Sequence, residues 1–212
     1  MESQEQLQIS DEIQISSTRI IEWMNVLREE RPETQHRLLE NFWASQIKSK
    51  AWLVNAVKHF FPDLSGRVYI LGGWYGLMAQ LIVDNFNVNR VYSVDSDPRC
   101  LEYGRALSNG DSKIMFLNRG METFDSYVNP KLIINTSTEH ITREAYDTWM
   151  GVIPTNTPIV LQGNSLFECT EHIRCHKTLE EFSNNNPLGE IIYSGSLNCG
   201  HFDRFMIIGY KK

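Results

Sequence analysis

The sequence has little of what marks secreted or membrane-spanning proteins. It contains four cysteines, at positions 100, 169, 175 and 199, and no CxxC pair. The N-terminal stretch MESQEQLQISDEIQIS lacks the basic and apolar regions of a signal peptide. No apolar run approaches the roughly 18 residues that indicate a membrane helix. These absences predict a cytoplasmic protein without a membrane partner, whose cysteines are thiols.

An excess of positive charge is also missing. The chain has 20 Lys and Arg against 26 Asp and Glu, which gives a net charge of −6 and a pI near 5.5. Broad, non-specific nucleic-acid binding needs a basic face, so this balance disfavours it, although a small nucleic-acid contact stays open. With 212 residues, 42% of them hydrophobic, the chain is long enough for one domain with a substantial core.

The chain is organised around residues 67–97. An apolar run at 68–71 predicts a buried strand, and a turn follows with Gly72, Gly73 and Gly76. Apolar residues at helical spacing come next, and a second short strand ends on Asp95. This order predicts one strand-turn-helix-strand unit that ends in an acidic residue.

That unit has the properties of a nucleoside-binding site. Glycines allow a sharp turn and a close approach of a ligand to the backbone. Asp95 lies nineteen residues after Gly76, about where a carboxylate at a strand end accepts hydrogen bonds from a ribose diol. The simpler alternative is a glycine turn that only packs the helix against the strand. A nicotinamide-dependent oxidoreductase is weaker still, because the glycines fall at offsets zero, one and four rather than zero, two and five.

The segment LGGWYG resembles motif I of the class I S-adenosylmethionine (SAM) methyltransferases, whose glycines run G-x-G-x-G. Gly72 and Gly76 match the outer two glycines, and Trp74 stands where the middle one is expected. Asp95, in VYSVDSD, matches the family's acidic ribose-binding position. The resemblance covers about residues 66–212. It also extends to a small group of methyltransferase-like proteins common in phage and bacterial genomes, on four segments: LGGWYG, INTSTEH, VLQGN and DRFMIIGY.

The resemblance implies an α/β, Rossmann-like seven-stranded methyltransferase sheet over residues 66–212, behind a helical N-terminal extension over residues 1–65. Two late strands, Ile191–Gly195 and Phe202–Tyr210, match the strand pair that closes this sheet. Elements before the first strand often close over the cofactor in this family, in which case Lys50 and Trp52 would approach the pocket. A phage-encoded member would act in the host cytoplasm.

The resemblance also implies a site for SAM. Its predicted cofactor-binding residues are Gly72, Gly73, Trp74, Gly76, Asp95, Gly120 and Met121. Gly120 stands where the family often has an acidic residue for adenine, so Asn118 or Glu122 would supply the polar contact.

The tip of the fourth strand, next to the methyl group in this family, carries the candidate catalytic residues Asn135, Glu139 and His140. His140 carries an imidazole, a side chain often used for proton transfer, and Asn135 would orient an acceptor. The alternative is that Glu139 and His140 cap or solvate the next helix. Asn135 is not followed by Pro-Pro and an aromatic residue, which disfavours a DNA amino-methyltransferase of that type.

A second cluster reads C-x2-H-x2-C-H, at Cys169, His172, Cys175 and His176. Structural zinc usually uses two well-separated ligand pairs, so we assign no metal ligands here. If this segment, within a loop and helix over residues 168–182, is helical, Cys169, His172 and His176 would share one helix face.

Two functions follow. The first is a SAM-dependent methyltransferase with a small-molecule or protein acceptor, nucleic acid being disfavoured. The second is a non-catalytic protein of the same fold that binds SAM, another nucleoside or a partner.

Overall fold

A computed structural model describes residues 7–212, so the first six residues of the predicted 1–65 extension lie outside the described range. Three helices come first: α1 (Ser17–Glu29), α2 (Pro32–Glu40) and α3 (Ala44–Phe60). The Ser16 side chain caps α1 by accepting from the Arg19 amide, and Pro32 begins α2, where its missing N–H costs nothing. The helical N-terminal extension is therefore confirmed.

Strands and helices alternate after the extension. In chain order they are β1 (Ser65–Leu71), α4 (Leu77–Asn85), β2 (Asn87–Asp95), α5 (Arg99–Leu107), β3 (Ile114–Asn118), β4 (Pro130–Asn135), α6 (Arg143–Val152), β5 (Pro158–Asn164), α7 (Leu179–Asn185), β6 (Glu190–Asn198) and β7 (Asp203–Tyr210). Short 3₁₀ turns at Met121–Thr123 and Thr138–His140 follow β3 and β4.

The seven strands form one sheet in the order β3-β2-β1-β4-β5-β7-β6. All neighbours are parallel except β7, which runs antiparallel to both β5 and β6. The predicted seven-stranded sheet with a closing antiparallel pair is confirmed. The strand order reverses between β1 and β4, and in open α/β sheets ligands bind outside the carboxyl ends of the strands at such a switch point.

The central strands are buried on both faces. Alternate residues of β1 enter two apolar layers: Val68 and Ile70 pack with the helical extension, α4 and α5, while Tyr69 and Leu71 pack with the side of α6. Such double burial explains the unbroken apolar runs of β1 and β4. The layers fix the strand ends, and with them the loops that line the cavity described below.

The segment before α7 differs from the prediction, because only residues from Leu179 onward are helical. The backbone amides of Ile173 and Arg174 donate to the Glu139 carbonyl, and that of His176 donates to the Asn164 carbonyl. These distant acceptors take the place of helical ones, so Cys169, His172 and His176 do not share a helix face. All four cysteines are free thiols. Among residues 7–212, no helix has the length and apolar character needed to span a membrane.

Candidate functional site

A cavity of about 1190 Å³ lies outside the carboxyl ends of β1, β2, β4 and β5. Its walls are the glycine turn after β1, the end of β2, the loops after β3, β4 and β5, and residues of α2 and α3. Pockets for drug-sized ligands measure roughly 300–1,000 Å³. This cavity therefore has room for a nucleoside ligand and a second molecule beside it.

The turn after β1 is crowded at its first two positions, where glycine avoids contacts that a Cβ would make. Gly72 has φ +62°, and a Cβ there would lie 2.4 Å from the Ser137 Oγ. A Cβ at Gly73 would lie 2.1 Å from the Ser93 Oγ. Trp74 itself has φ +48°, in the left-handed region that glycine adopts without strain. The backbone at Trp74 is therefore one that glycine would adopt more readily.

Asp95, at the end of β2, braces this turn. Its Oδ2 accepts from the Trp74 amide at 2.8 Å, and its Oδ1 accepts from the Asp97 amide at 3.0 Å. Each carboxylate oxygen has a second lone-pair site, so the side chain keeps acceptor capacity toward the cavity that it lines. The carboxylate thus shapes the turn and presents negative charge to the cavity.

The loop after β3 brings Gly120 and Met121 to the cavity. Met121 is buried, and its Sδ lies 3.4 Å from the Asn135 Nδ2. Of the two alternative polar residues, Asn118 donates its side-chain amide to the backbone oxygens of Asp95 and Ser96. Glu122, by contrast, lines the cavity.

Eight of the ten predicted site residues line the cavity: Gly72, Gly73, Trp74, Asp95, Gly120, Met121, Glu139 and His140. The other two do not. Gly76 is the N-cap residue just before α4 and has φ +83°, and a Cβ there would lie 2.6 Å from the Phe116 ring. Asn135 is fully buried, and its Oδ1 accepts from the Ser137 amide at 2.9 Å. Both residues shape the surrounding turns from beneath the cavity wall.

Glu139 is the most enclosed charged group of the site. Its Oε1 accepts from the Arg204 Nη1 at 2.7 Å and from the Asn164 Nδ2 at 2.6 Å. Arg204 on β7 and Asn164 at the end of β5 were not predicted, because no local pattern ties them to Glu139. Helix α6 is capped by the Thr142 hydroxyl, so the alternative of Glu139 or His140 as its cap does not apply.

Lys50 of α3 lines the cavity, whereas Trp52 packs in the core. The Lys50 Nζ donates to the Gln46 side-chain oxygen. Burial, together with the nearby positive charge of Arg204, lowers the pKa of Lys50 from its usual 10.5 to about 7, although Glu139 acts in the opposite direction. The extension therefore supplies an amine that can exchange a proton near neutral pH.

Of the four residues in the C-x2-H-x2-C-H cluster, Cys169 and His172 line the cavity. The His172 ring packs edge-to-face on His140, with centroids 4.7 Å apart. Its Nδ1 lies 3.1 Å from the Leu166 carbonyl oxygen. Burial lowers the pKa of His172, and the charge of Glu139 opposes this effect. His176 is instead buried against Phe182.

Several solved structures of similar shape are methyltransferases, and some were crystallised with SAM or S-adenosylhomocysteine. N-methyltransferase NodS from Bradyrhizobium japonicum WM9, in complex with S-adenosylhomocysteine, is 13% identical with a TM-score of 0.66, over 90% of this chain and 98% of its own. Magnesium protoporphyrin IX methyltransferase (ChlM) from Synechocystis PCC 6803, with bound SAM, is 10% identical with a TM-score of 0.64, over 92% of each chain. The fold is that of the class I methyltransferases.

A third structure of this shape is a mutant form of MtNAS in complex with SAM. It is 13% identical with a TM-score of 0.60, over 91% of this chain and 71% of its own. No protein-family model and no curated protein sequence matches the chain. At these identities the likeness shows the fold alone. The cavity of this chain lies at the switch point between β1 and β4.

Proposed function

We propose that this protein is a SAM-dependent methyltransferase that acts on a small molecule or a protein in the cytoplasm. One observation carries the proposal. In a class I methyltransferase fold, the glycine turn with Asp95 and the pair Glu139 and His140 line one cavity across the switch point of the sheet. One end of that cavity fits a nucleoside, and the other carries groups that hold or move protons.

The cavity residues fit the cofactor. When bound, SAM supplies a methyl group on a sulfonium sulfur, which an aligned acceptor displaces in line. The backbone of Gly72 and Gly73, which line the cavity, would lie close to the methionine part, and Asp95 would accept from the ribose hydroxyls. Gly120 and Met121 would frame the adenine, with Glu122 as the polar group of that loop.

We call the part of the cavity around Glu139 and His140 the acceptor end, because the methyl acceptor would bind there. Arg204 holds Glu139 in place by donating to its carboxylate, and the exposed His140 follows it in the chain. Lys50, with its pKa lowered to about 7, is suited to accept a proton from an acceptor at neutral pH. Asn135 is committed to the turn after β4 and to Met121, so we assign it to positioning that turn rather than to orienting the acceptor.

Calorimetric titration with SAM, S-adenosylhomocysteine and NAD tests the cofactor assignment. We expect binding of the two adenosyl ligands and none of NAD. Asp95→Asn should weaken SAM binding about 100-fold, since hydrogen bonds to a charged group contribute roughly 1.5–3 kcal/mol each. Asp97→Asn is the matched control, because Asp97 pairs with Arg99 at the same rim. Folded protein that does not bind SAM, or equal affinity in both variants, would overturn the assignment.

A non-catalytic SAM-binding protein is the second candidate, and Trp74 in the left-handed position of a family glycine favours it. Methyl-labelled SAM incubated with cell extract separates the two. An enzyme should label an acceptor, and His140→Ala should reduce the labelling while SAM affinity stays unchanged. SAM binding without any labelled product would favour the second candidate.

A further inference from the structure

Three potential metal ligands converge at the acceptor end of the cavity. One ligand atom from each of Glu139, His140 and His172 lies within 4.8 Å of the other two. The first two follow β4, whereas His172 comes from the irregular segment after β5. The cluster therefore forms only through the tertiary fold, and its members are not neighbours by helical spacing.

The two oxygens of the Glu139 carboxylate differ in their hydrogen bonds. Arg204 and Asn164 both donate to its Oε1. Its Oε2 is buried and has no hydrogen-bond partner among residues 7–212. A buried oxygen of a carboxylate is costly to leave without a partner, and ligating carboxylates are commonly fixed by hydrogen bonds like these. Oε2 is thus the oxygen that remains for an ion.

The tautomer of His172 supports the same conclusion. A carbonyl oxygen only accepts hydrogen bonds, so the contact of 3.1 Å with Leu166 assigns the ring proton to Nδ1. Nε2 then carries a bare lone pair. A metal-binding histidine typically donates its other ring nitrogen to a carbonyl or carboxylate in this way. The three ligand atoms lie within 4.8 Å of one another, whereas ligand atoms around a tetrahedral zinc ion are roughly 3.4 Å apart, so binding would require the side chains to close in on the ion, and His140 is exposed.

We propose that Glu139, His140 and His172 bind a divalent transition-metal ion, such as Zn²⁺, at the acceptor end of the cavity. Two imidazoles favour Zn²⁺ and its neighbours over Mg²⁺ or Ca²⁺, which prefer all-oxygen sites. Three protein ligands leave a position open to the cavity, as in catalytic zinc sites. That position would take an oxygen of the acceptor, a consequence that rests on the proposed methyl transfer, whereas the ion site does not.

Nearby positive charge sets the expected affinity. Arg204 pairs with the other oxygen of the same carboxylate and offsets part of its negative charge, and Lys50 lies close by. The repulsion between these cations and a divalent ion weakens binding, so we expect a dissociation constant of roughly 1 µM rather than the far lower values of structural zinc sites.

The test is titration of the chelator-treated full chain with Zn²⁺ and with Co²⁺, whose visible absorption reports its ligand geometry. The measurement contains no SAM, so its outcome is independent of the cofactor assignment. His140→Gln and His172→Gln should each weaken binding at least roughly 100-fold, since even outer-shell changes cost 10–100-fold. His201→Gln and Cys169→Ser are matched controls, because both residues line the cavity outside the cluster, and both should bind like the parent protein.

Three results would overturn the site. The first is the absence of Zn²⁺ binding below roughly 0.1 mM. The second is a loss of Zn²⁺ affinity in His201→Gln equal to that in His140→Gln or His172→Gln. The third is a loss of Zn²⁺ affinity in Cys169→Ser, which would assign the ion to the thiol. Thermal unfolding of each variant without metal verifies that the fold is intact. Glu139 is left unchanged because its removal would strand the Arg204 charge.

Discussion

Two ion pairs of nearly equal length differ in burial, and they predict different costs of disruption. Arg204 and Glu139 meet at 2.7 Å with side chains 8% and 2% exposed. Arg143 and Asp147 meet at 2.8 Å on α6 with side chains 49% and 54% exposed. Breaking a buried pair costs about 3–5 kcal/mol, because it leaves an uncompensated charge. An exposed pair contributes about 0–1 kcal/mol.

Glu139→Gln keeps the shape of the side chain and an oxygen for the Asn164 amide, but it leaves Arg204 without a counter-charge. We expect it to lower the free energy of unfolding by about 3–5 kcal/mol, which for a chain of this size lowers the midpoint by about 6–20 °C. Asp147→Asn is the matched control and should shift the midpoint by less than about 4 °C.

Urea unfolding of chelator-treated protein, extrapolated linearly to water, measures the free energy of unfolding of each variant, and thermal unfolding measures the midpoints. The double variant Glu139→Gln with Arg204→Met removes both charges, so it should recover most of the loss. The reasoning would be refuted if the losses in free energy of unfolding for Glu139→Gln and Asp147→Asn agreed within about 0.5 kcal/mol, because burial would then make no difference to the cost of breaking an ion pair.

Two further predictions concern Lys50 and the glycine turn. The pKa of Lys50 is about 7 when folded against 10.5 normally, so its burial destabilises the fold fully below pH 7 and progressively less as pH rises toward 10.5. Lys50→Met should therefore raise the free energy of unfolding by roughly 3–5 kcal/mol at pH 6, with a gain that shrinks in urea unfolding at pH 9; a pH-independent gain would contradict the shift. Gly72 and Gly110 both have positive φ, +62° and +64°, but only Gly72 has atoms in the way of a Cβ. Gly110→Ala should cost about 1–2 kcal/mol from backbone strain, and Gly72→Ala at least about 1 kcal/mol more from contact with Ser137; equal costs by calorimetry would refute the steric argument.

Much of the fold follows from the sequence, because its signals are local. The apolar run of β1, the glycines after it and Asp95 occur within one unit, and that unit determines the direction of the neighbouring strands. The terminal strand pair is likewise visible as two apolar runs. These patterns depend on period and turn chemistry, which a single sequence shows directly.

The end of the cavity around Glu139 was less predictable. Arg204, Asn164 and His172 reach Glu139 from β7, from the end of β5 and from a segment without helical or strand period. Such contacts are made by tertiary packing, and no spacing rule indicates them. Trp74 is different, because the resemblance places a glycine at its position. Glycine readily adopts the left-handed backbone, which is the conformation that Trp74 has in the structure.

The switch point between β1 and β4 also bears on how ligand binding would be linked to the stability of the sheet. Leu71 pairs with Asn135, sixty-four residues later, so this contact closes a long loop and forms at a large loss of chain entropy. The sheet can be regarded as two halves, β3-β2-β1 and β4-β5-β7-β6, joined along that seam. Asp95 belongs to the first half, and Glu139 and Arg204 belong to the second. A ligand that bridges the cavity would thus contact both halves, and it would add to the strand hydrogen bonds and to the two apolar layers that already span the seam.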